Sequence, residues 1–397
     1  MNPNTLPIPH LDPLPLTAPA GLMWFLLILT FFLHLLPMNF VLGGSVIAAL
    51  ARLRGSHPHA RKLAHWFAKA MPVTIAAAVS LGVAPLLFVQ ALYGRLFFTG
   101  SVIMGWFWFS VIPLLILAYY GAYILSFKDE KLGVAAIPLA WLIAAIFIEI
   151  GFLYTNNMTL MLRPEILAQK YAQGGAGLQL NLDDPTVWPR YLHMFFGALA
   201  VSGMAVAHYG LFRREDDPEF SKWAIGHGSM WFVVPTVINM FMGIWWLAAL
   251  PKDVIMEFMG QNALGTASLM LGVALGLGSV LLMAVAPKAE NPALSLRGAG
   301  AALVLTLVTM TLARDGVRQG ALTHAGFTLN PWVQPQWSII GIFALLLVIA
   351  IATIVWMVTV FVRSGSLEAD QQDPSGAARA QREHATEKSA SSRKMRV

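Results

Sequence analysis

The sequence has no cysteine among its 397 residues, and only 12% of them are charged, about half the fraction of an ordinary soluble domain. Without cysteine there is no disulfide, thiolate metal site, iron–sulfur cluster, thioether-linked haem or catalytic thiol. The scarcity of charge, set against 57% hydrophobic residues and a mean hydropathy of +0.65, excludes a soluble globular enzyme and a disordered chain. The alternating ten-residue segments of a membrane barrel are missing too. What remains is an all-α, polytopic membrane bundle, in which any cofactor must be held by His, Met, Glu, Asp or backbone.

Nine apolar runs are long enough to cross about 30 Å of hydrocarbon: 21–50, 71–94, 100–127, 133–155, 190–212, 223–250, 262–286, 297–313 and 337–362. The basic residues fall unevenly around them. The side where the odd-numbered runs end collects 19 of the 26 Lys and Arg, which predicts an outside N-terminus and a cytoplasmic C-terminus. Residues 1–20 read as a periplasmic N-terminal tail without the basic start of a signal peptide. Residues 21–363 form the transmembrane domain, and 364–397, rich in Ser, Ala, Gln and charge, read as a disordered cytoplasmic tail. The outside loops 156–189 and 314–336 could cap a site, and no internal repeat of the transporter kind stands out. The expected location is a bacterial inner membrane.

Few residues in the spans can carry chemistry. Glu149 is the only acid or base well inside an apolar run, so it is a candidate proton-relay group, iron ligand or partner of a buried cation. His34 lies midway along the first run, where a lone imidazole costs free energy without a partner; it is bonded to a neighbouring carbonyl or is an axial ligand of a porphyrin iron. His193 opens the fifth run. His208, fifteen residues on, is too far along the helix to share a haem with it. A cytoplasmic pairing of His208 with His227 is open beside plain interfacial anchoring. His57, His59 and His65 fit a solvated basic loop. His324 follows the cluster LARDGVRQ, whose Arg314 and Arg318 are one turn apart and suited to holding propionates. Met270 stands near Gly272 and Gly276, which permit close helix approach.

Taken in order, these segments resemble the haem-bearing subunit I of cytochrome bd-type oxidases. His34 precedes Leu42-Gly43 as a haem-ligating His precedes LG in that family's first helix. LGVAPLLFVQ (81–90) is similar to its second-helix motif, NNMTLMLRP to the end of its fourth helix, and Arg190-Tyr191-Leu192-His193 with Ser202-Gly203-Met204 to its low-spin haem segment. Met270-x-Gly272 resembles the motif bearing the other axial ligand, and ARDGVRQ (313–319) its motif after the eighth helix. The resemblance implies nine helices and haem b at two or more sites. One site would use His193 and Met270. The other would use His34 with His324, and Arg190, Arg314 and Arg318 would meet the propionates. The departures bear on activity: the family's long quinol loop between helices six and seven is here the short 251–261, and its third-helix glutamates are missing.

The implied function is a haem b electron-transfer subunit of a respiratory complex, exchanging electrons with a periplasmic cytochrome c or a partner subunit. Reduction of oxygen or nitric oxide stays open if His34 leaves an axial position free. The alternatives are a cofactor-free, quinol-binding membrane anchor and a proton-coupled transporter using Glu149.

Overall fold

A computed structural model describes residues 7–9, 15–329 and 332–372. His10, His384 and the tail beyond 372 lie outside the described residues. The chain divides into residues 1–340 and residues 341–397. The described residues are helical apart from loops and one short pairing of Leu16 with Val333.

The long helices are α1 (Ala20–Leu53), α2 (Pro58–Ile103), α3 (Gly105–Leu132) and α4 (Ala136–Leu160); then, after the short α5 (Pro164–Gln173), come α6 (Val187–Phe212) and α7 (Pro218–Ala249). The short α8 (Lys252–Met256) precedes α9 (Ala263–Val285), α10 (Pro292–His324) and α11 (Trp337–Gln372). Among the described residues, eight stretches are long and apolar enough to cross a membrane. One of them, Gly105–Leu160, contains both α3 and α4, turned against each other at Gly133, whose φ of 52° suits glycine.

Several boundaries depart from the apolar runs, three of them by ten residues or more. α2 begins at Pro58, because HARKLAHWFAKA is amphipathic and continues the helix below its apolar stretch. α10 continues to His324, so LARDGVRQ is helical rather than part of a loop; its charges are tolerated because they turn inward onto partners. α11 runs on to Gln372, past the expected start of the tail at 364.

α1, α2, α3 and α4 pack in a ring, and α6, α7, α9 and α10 pack in a second ring. α1 and α6 form the seam, with α4 also touching α6 and α10 touching α1. A membrane offers little hydrophobic drive between helices, so close approach must come from small residues. Gly43 supplies it at the seam, where a Cβ would lie 2.1 Å from the Ala198 carbonyl oxygen. Ser202 reinforces it by donating to the Asn39 carbonyl at 3.1 Å. α9 packs through one narrow stripe of Gly265, Ser268, Gly272, Gly276, Ser279 and Met283.

The two rings share a repeat that the side chains hide. The α6–α7 hairpin reproduces the α1–α2 hairpin at three contacts. His34 meets Ala78 and Gly82 and His193 meets Asn239 and Gly243, while Gly44 opposes Phe67 and Gly203 opposes Gly228. The offset is 159 residues in the leading helix and 161 in the returning one.

Candidate functional site

Each repeat unit holds one histidine in the same way. The His34 Nδ1–H donates to the Ala78 carbonyl of α2 at 2.9 Å, and the His193 Nδ1–H to the Asn239 carbonyl of α7 at 3.0 Å. Because a carbonyl only accepts, each ring carries a proton on Nδ1, and in the neutral ring that leaves the lone pair on Nε2. Each ring lies over a glycine one turn further along the facing helix. A Cβ on Gly82 would lie 2.8 Å from His34 Cε1, and one on Gly243 would lie 3.1 Å from His193 Cε1. Both histidines stand on the central helices. Although α1 is flanked by α2, α4, α6 and α10, every residue from Phe31 to Met38 is partly exposed, as is every residue from Leu192 to Gly197 on α6. Space therefore runs beside both helices at the level of the imidazoles.

The arginines meet at the end of the bundle where α1 begins. Arg314 lies over the Phe31 ring at 4.2 Å, one turn from His34. Arg318 lies over Tyr93 at 5.0 Å and pairs with Asp315, which also accepts from Trp24 Nε1. Arg190 lies over Trp246 at 5.4 Å, and Trp246 in turn packs on His193. Arg314 is within electrostatic range of both Arg190 and Arg318. Arg190 also senses Asp184, but that carboxylate already contacts Arg163 at 3.6 Å and accepts from Thr186. Among the described residues, guanidiniums thus outnumber the carboxylates reaching them, in a place where Arg318 and Asp315 are 5% and 2% exposed. Arg318 Nε, Trp246 Nε1 and Asn239 Oδ1 are buried without a partner among the described residues.

Other expected residues fall elsewhere. Met270 is 57% exposed. It sits two residues, or 200° of helix, from Gly272 in the packed stripe, so the structure does not bring it to His193. His324 lies ten residues beyond Arg314, about 15 Å along the helix. Its Nδ1–H donates to Gly320 at 2.8 Å, its Nε2 is 3.9 Å from Glu257, and it lines a surface hollow with Arg163 and Asp184. It is therefore not a companion of His34. Glu149 is exposed on α4, and the Nδ1–H of each histidine goes to a backbone carbonyl and not to this carboxylate. His208 and His227 do not pair: His208 Nδ1–H donates to Met204 and its ring faces Gly300, while His227 stacks on Trp223 and accepts from Trp231 Nε1. His57 and His59 pack on Trp223 as well, and His65 meets Asp129. Among the described residues no group of three or more His, Asp or Glu is placed to hold a bare metal ion.

Sequence reasoning missed Trp246, Asn239 and the two glycines under the imidazoles. The glycines were visible as Gly82 in LGVAP and Gly243 in FMGIWW, but their facing partners were not.

No family model and no curated protein matches the sequence. The fold does have a counterpart: a chain in the structure of bd oxidase from Geobacillus thermodenitrificans is similar at a TM-score of 0.72 and 14% identity, over 88% of this chain and 99% of that one. This protein has the fold of that bd oxidase chain. With its apolar helices, that makes it a polytopic membrane protein of bd oxidase architecture.

Proposed function

We propose that this chain is a subunit of a respiratory complex in the bacterial inner membrane that holds b-type haem and passes electrons to or from a periplasmic cytochrome c or a partner subunit. The observation that carries the reading is the convergence of Arg190, Arg314 and Arg318 beside the two histidines, with too few carboxylates among the described residues to balance them. Cations gathered away from water are costly unless an anion compensates, and the propionates of a porphyrin suit guanidinium forks. His34 and His193 would be axial ligands through Nε2. The Ala78 and Asn239 carbonyls fix each ring and keep its proton on Nδ1, the outer-shell support that ligating histidines use. Gly82 and Gly243 let the rings lie flat on the facing helix. When bound, haem supplies a one-electron iron couple whose potential follows its ligands and nearby charge. The arginines would hold positive charge there, favouring the reduced form.

The test is a reduced-minus-oxidised absorption spectrum of the purified protein. Haem b bands are expected, with part of them lost in His34→Ala and a different part in His193→Ala. A wild-type protein without such bands, or unchanged bands in both variants, ends the reading. A hollow of about 690 Å³ lined by Trp106, Phe109 and Tyr171 favours a second reading, the quinol-binding anchor without cofactor. That reading predicts no haem band and a quinone retained through purification.

A further inference from the structure

Glu149 is at the middle of α4, thirteen residues from its start at Ala136 and eleven from its end at Leu160. The helix buries Ala140, Ala144, Phe147 and their neighbours against α1, α3 and α6. Its opposite stripe, Pro138, Leu142, Ala145 and Glu149, is exposed, with Leu142 at 56%. The carboxylate is therefore aimed out of the bundle at a depth where water is scarce. Tyr191 is near enough to feel its charge, but its hydroxyl donates to the Ile148 carbonyl at 3.0 Å. Among the described residues no side chain donates to Glu149.

A mid-span carboxylate facing outward needs a donor from outside the chain. A second copy offers hydroxyl donors such as the exposed Tyr120 but, among its described residues, no cation at that depth. The Lys and Arg of the described spans lie toward helix ends or, like Arg314 and Arg318, turn onto Phe31 and Tyr93. His34 and His193 are committed to inward carbonyls. We propose that the outward stripe of α4 centred on Glu149 seats a transmembrane helix of a different subunit, which presents a Lys, Arg or His to this carboxylate. The small Ala145 beside it lets that helix approach closely. This interface is independent of the haem reading, since it rests on α4 alone.

The chain lends itself to a positional test. A photo-crosslinking residue replaces Ala145 in the full-length protein, which is irradiated in its native membranes. The expected product joins one different protein, through a transmembrane helix carrying Lys, Arg or His within one turn of the joined position. Glu149→Lys should lower the yield at least about tenfold, as expected for a desolvated charge pair, and changing that basic residue to Glu should restore it. Glu149→Gln, nearly the same shape, should keep the wild-type elution profile of the purified chain while lowering the yield. A product joining two copies of this chain, a partner helix without a basic residue, adducts to lipid alone, or a yield unmoved by both Glu149 variants would each overturn the proposal.

Discussion

The two four-helix rings hold their histidines with the same backbone geometry but surround them differently. In the first, the His34 ring lies near Phe31, over which Arg314 of the other ring is laid. In the second, His193 lies against Trp246 beside Arg190, and two buried polar atoms, Trp246 Nε1 and Asn239 Oδ1, lack partners among the described residues. A carbonyl and a glycine one turn apart suffice to orient an imidazole, whatever the side chains around them. The side chains then set the charge and polarity at each ring. Two sites built alike in backbone can thus differ in affinity and potential, because nearby charge and hydrogen bonding tune a bound metal centre.

The comparison rests first on the seam. Gly43→Leu puts a side chain into the Ala198 carbonyl, where even a Cβ would lie at 2.1 Å. Backbone cannot yield as a flexible side chain can, so a loss of about 3 kcal/mol or an unfolded product is expected. The thermal unfolding midpoint in detergent measures it, with Gly226→Ala as control, since nothing lies within 4 Å of a Cβ there. The next effect separates the two sites. Gly82→Ala forces the His34 ring to move, whereas Gly243→Ala meets His193 at 3.1 Å and asks only a few tenths of an ångström. About 1–3 kcal/mol is expected for Gly82→Ala and less than about 1 kcal/mol for Gly243→Ala. Equal losses would mean that the two glycines crowd their imidazoles equally, against the difference in clearance. Tyr191→Phe, which frees the Ile148 carbonyl between α6 and α4, should cost about 1 kcal/mol by the same measurement.

Much of this was legible in the sequence, for physical reasons that also mark where reading stopped. Apolar runs report crossings because a bilayer demands them, and their nine positions fall on helices. They do not report where a helix ends once it can bury its charges, so α10 outruns its apolar stretch to His324. The repeat escaped notice because its contacts are to backbone: a carbonyl serves equally from Ala78 or Asn239, so only the His and Gly are fixed in identity. The arginine cluster could be anticipated from a one-turn spacing plus a resemblance. Met270 could not be judged that way, because proximity to a close-packing Gly272 says nothing of facing, and two residues along a helix reverse the face. Glu149 was visible as an oddity, but its outward aim depended on which stripe of α4 the neighbours chose.

The smallest effect is at the opposite end of the bundle from the arginines, where Lys62 of α2 contacts Asp217, the residue that caps α7 by accepting from Phe220 N–H at 3.1 Å. The contact ties a helix of the first ring to the start of a helix in the second. Burial pushes the Asp217 carboxyl up, but Lys62 and the Phe220 N–H outweigh it and hold the group below its ordinary range. A carboxyl lowered by folding stabilises the native state above its unfolded pKa and loses that contribution as pH falls through the folded value. The Lys62 side chain is 54% exposed, so water screens most of the attraction and Lys62→Ala should cost no more than about 1 kcal/mol at neutral pH. The difference in unfolding midpoint between wild type and Lys62→Ala should shrink as pH drops below about 4, where an ordinary carboxyl is protonated even in the unfolded chain. A difference that persists unchanged into acid would show that Lys62 acts through its packing over the Phe220 ring, 6.0 Å away, and not through the charge of Asp217.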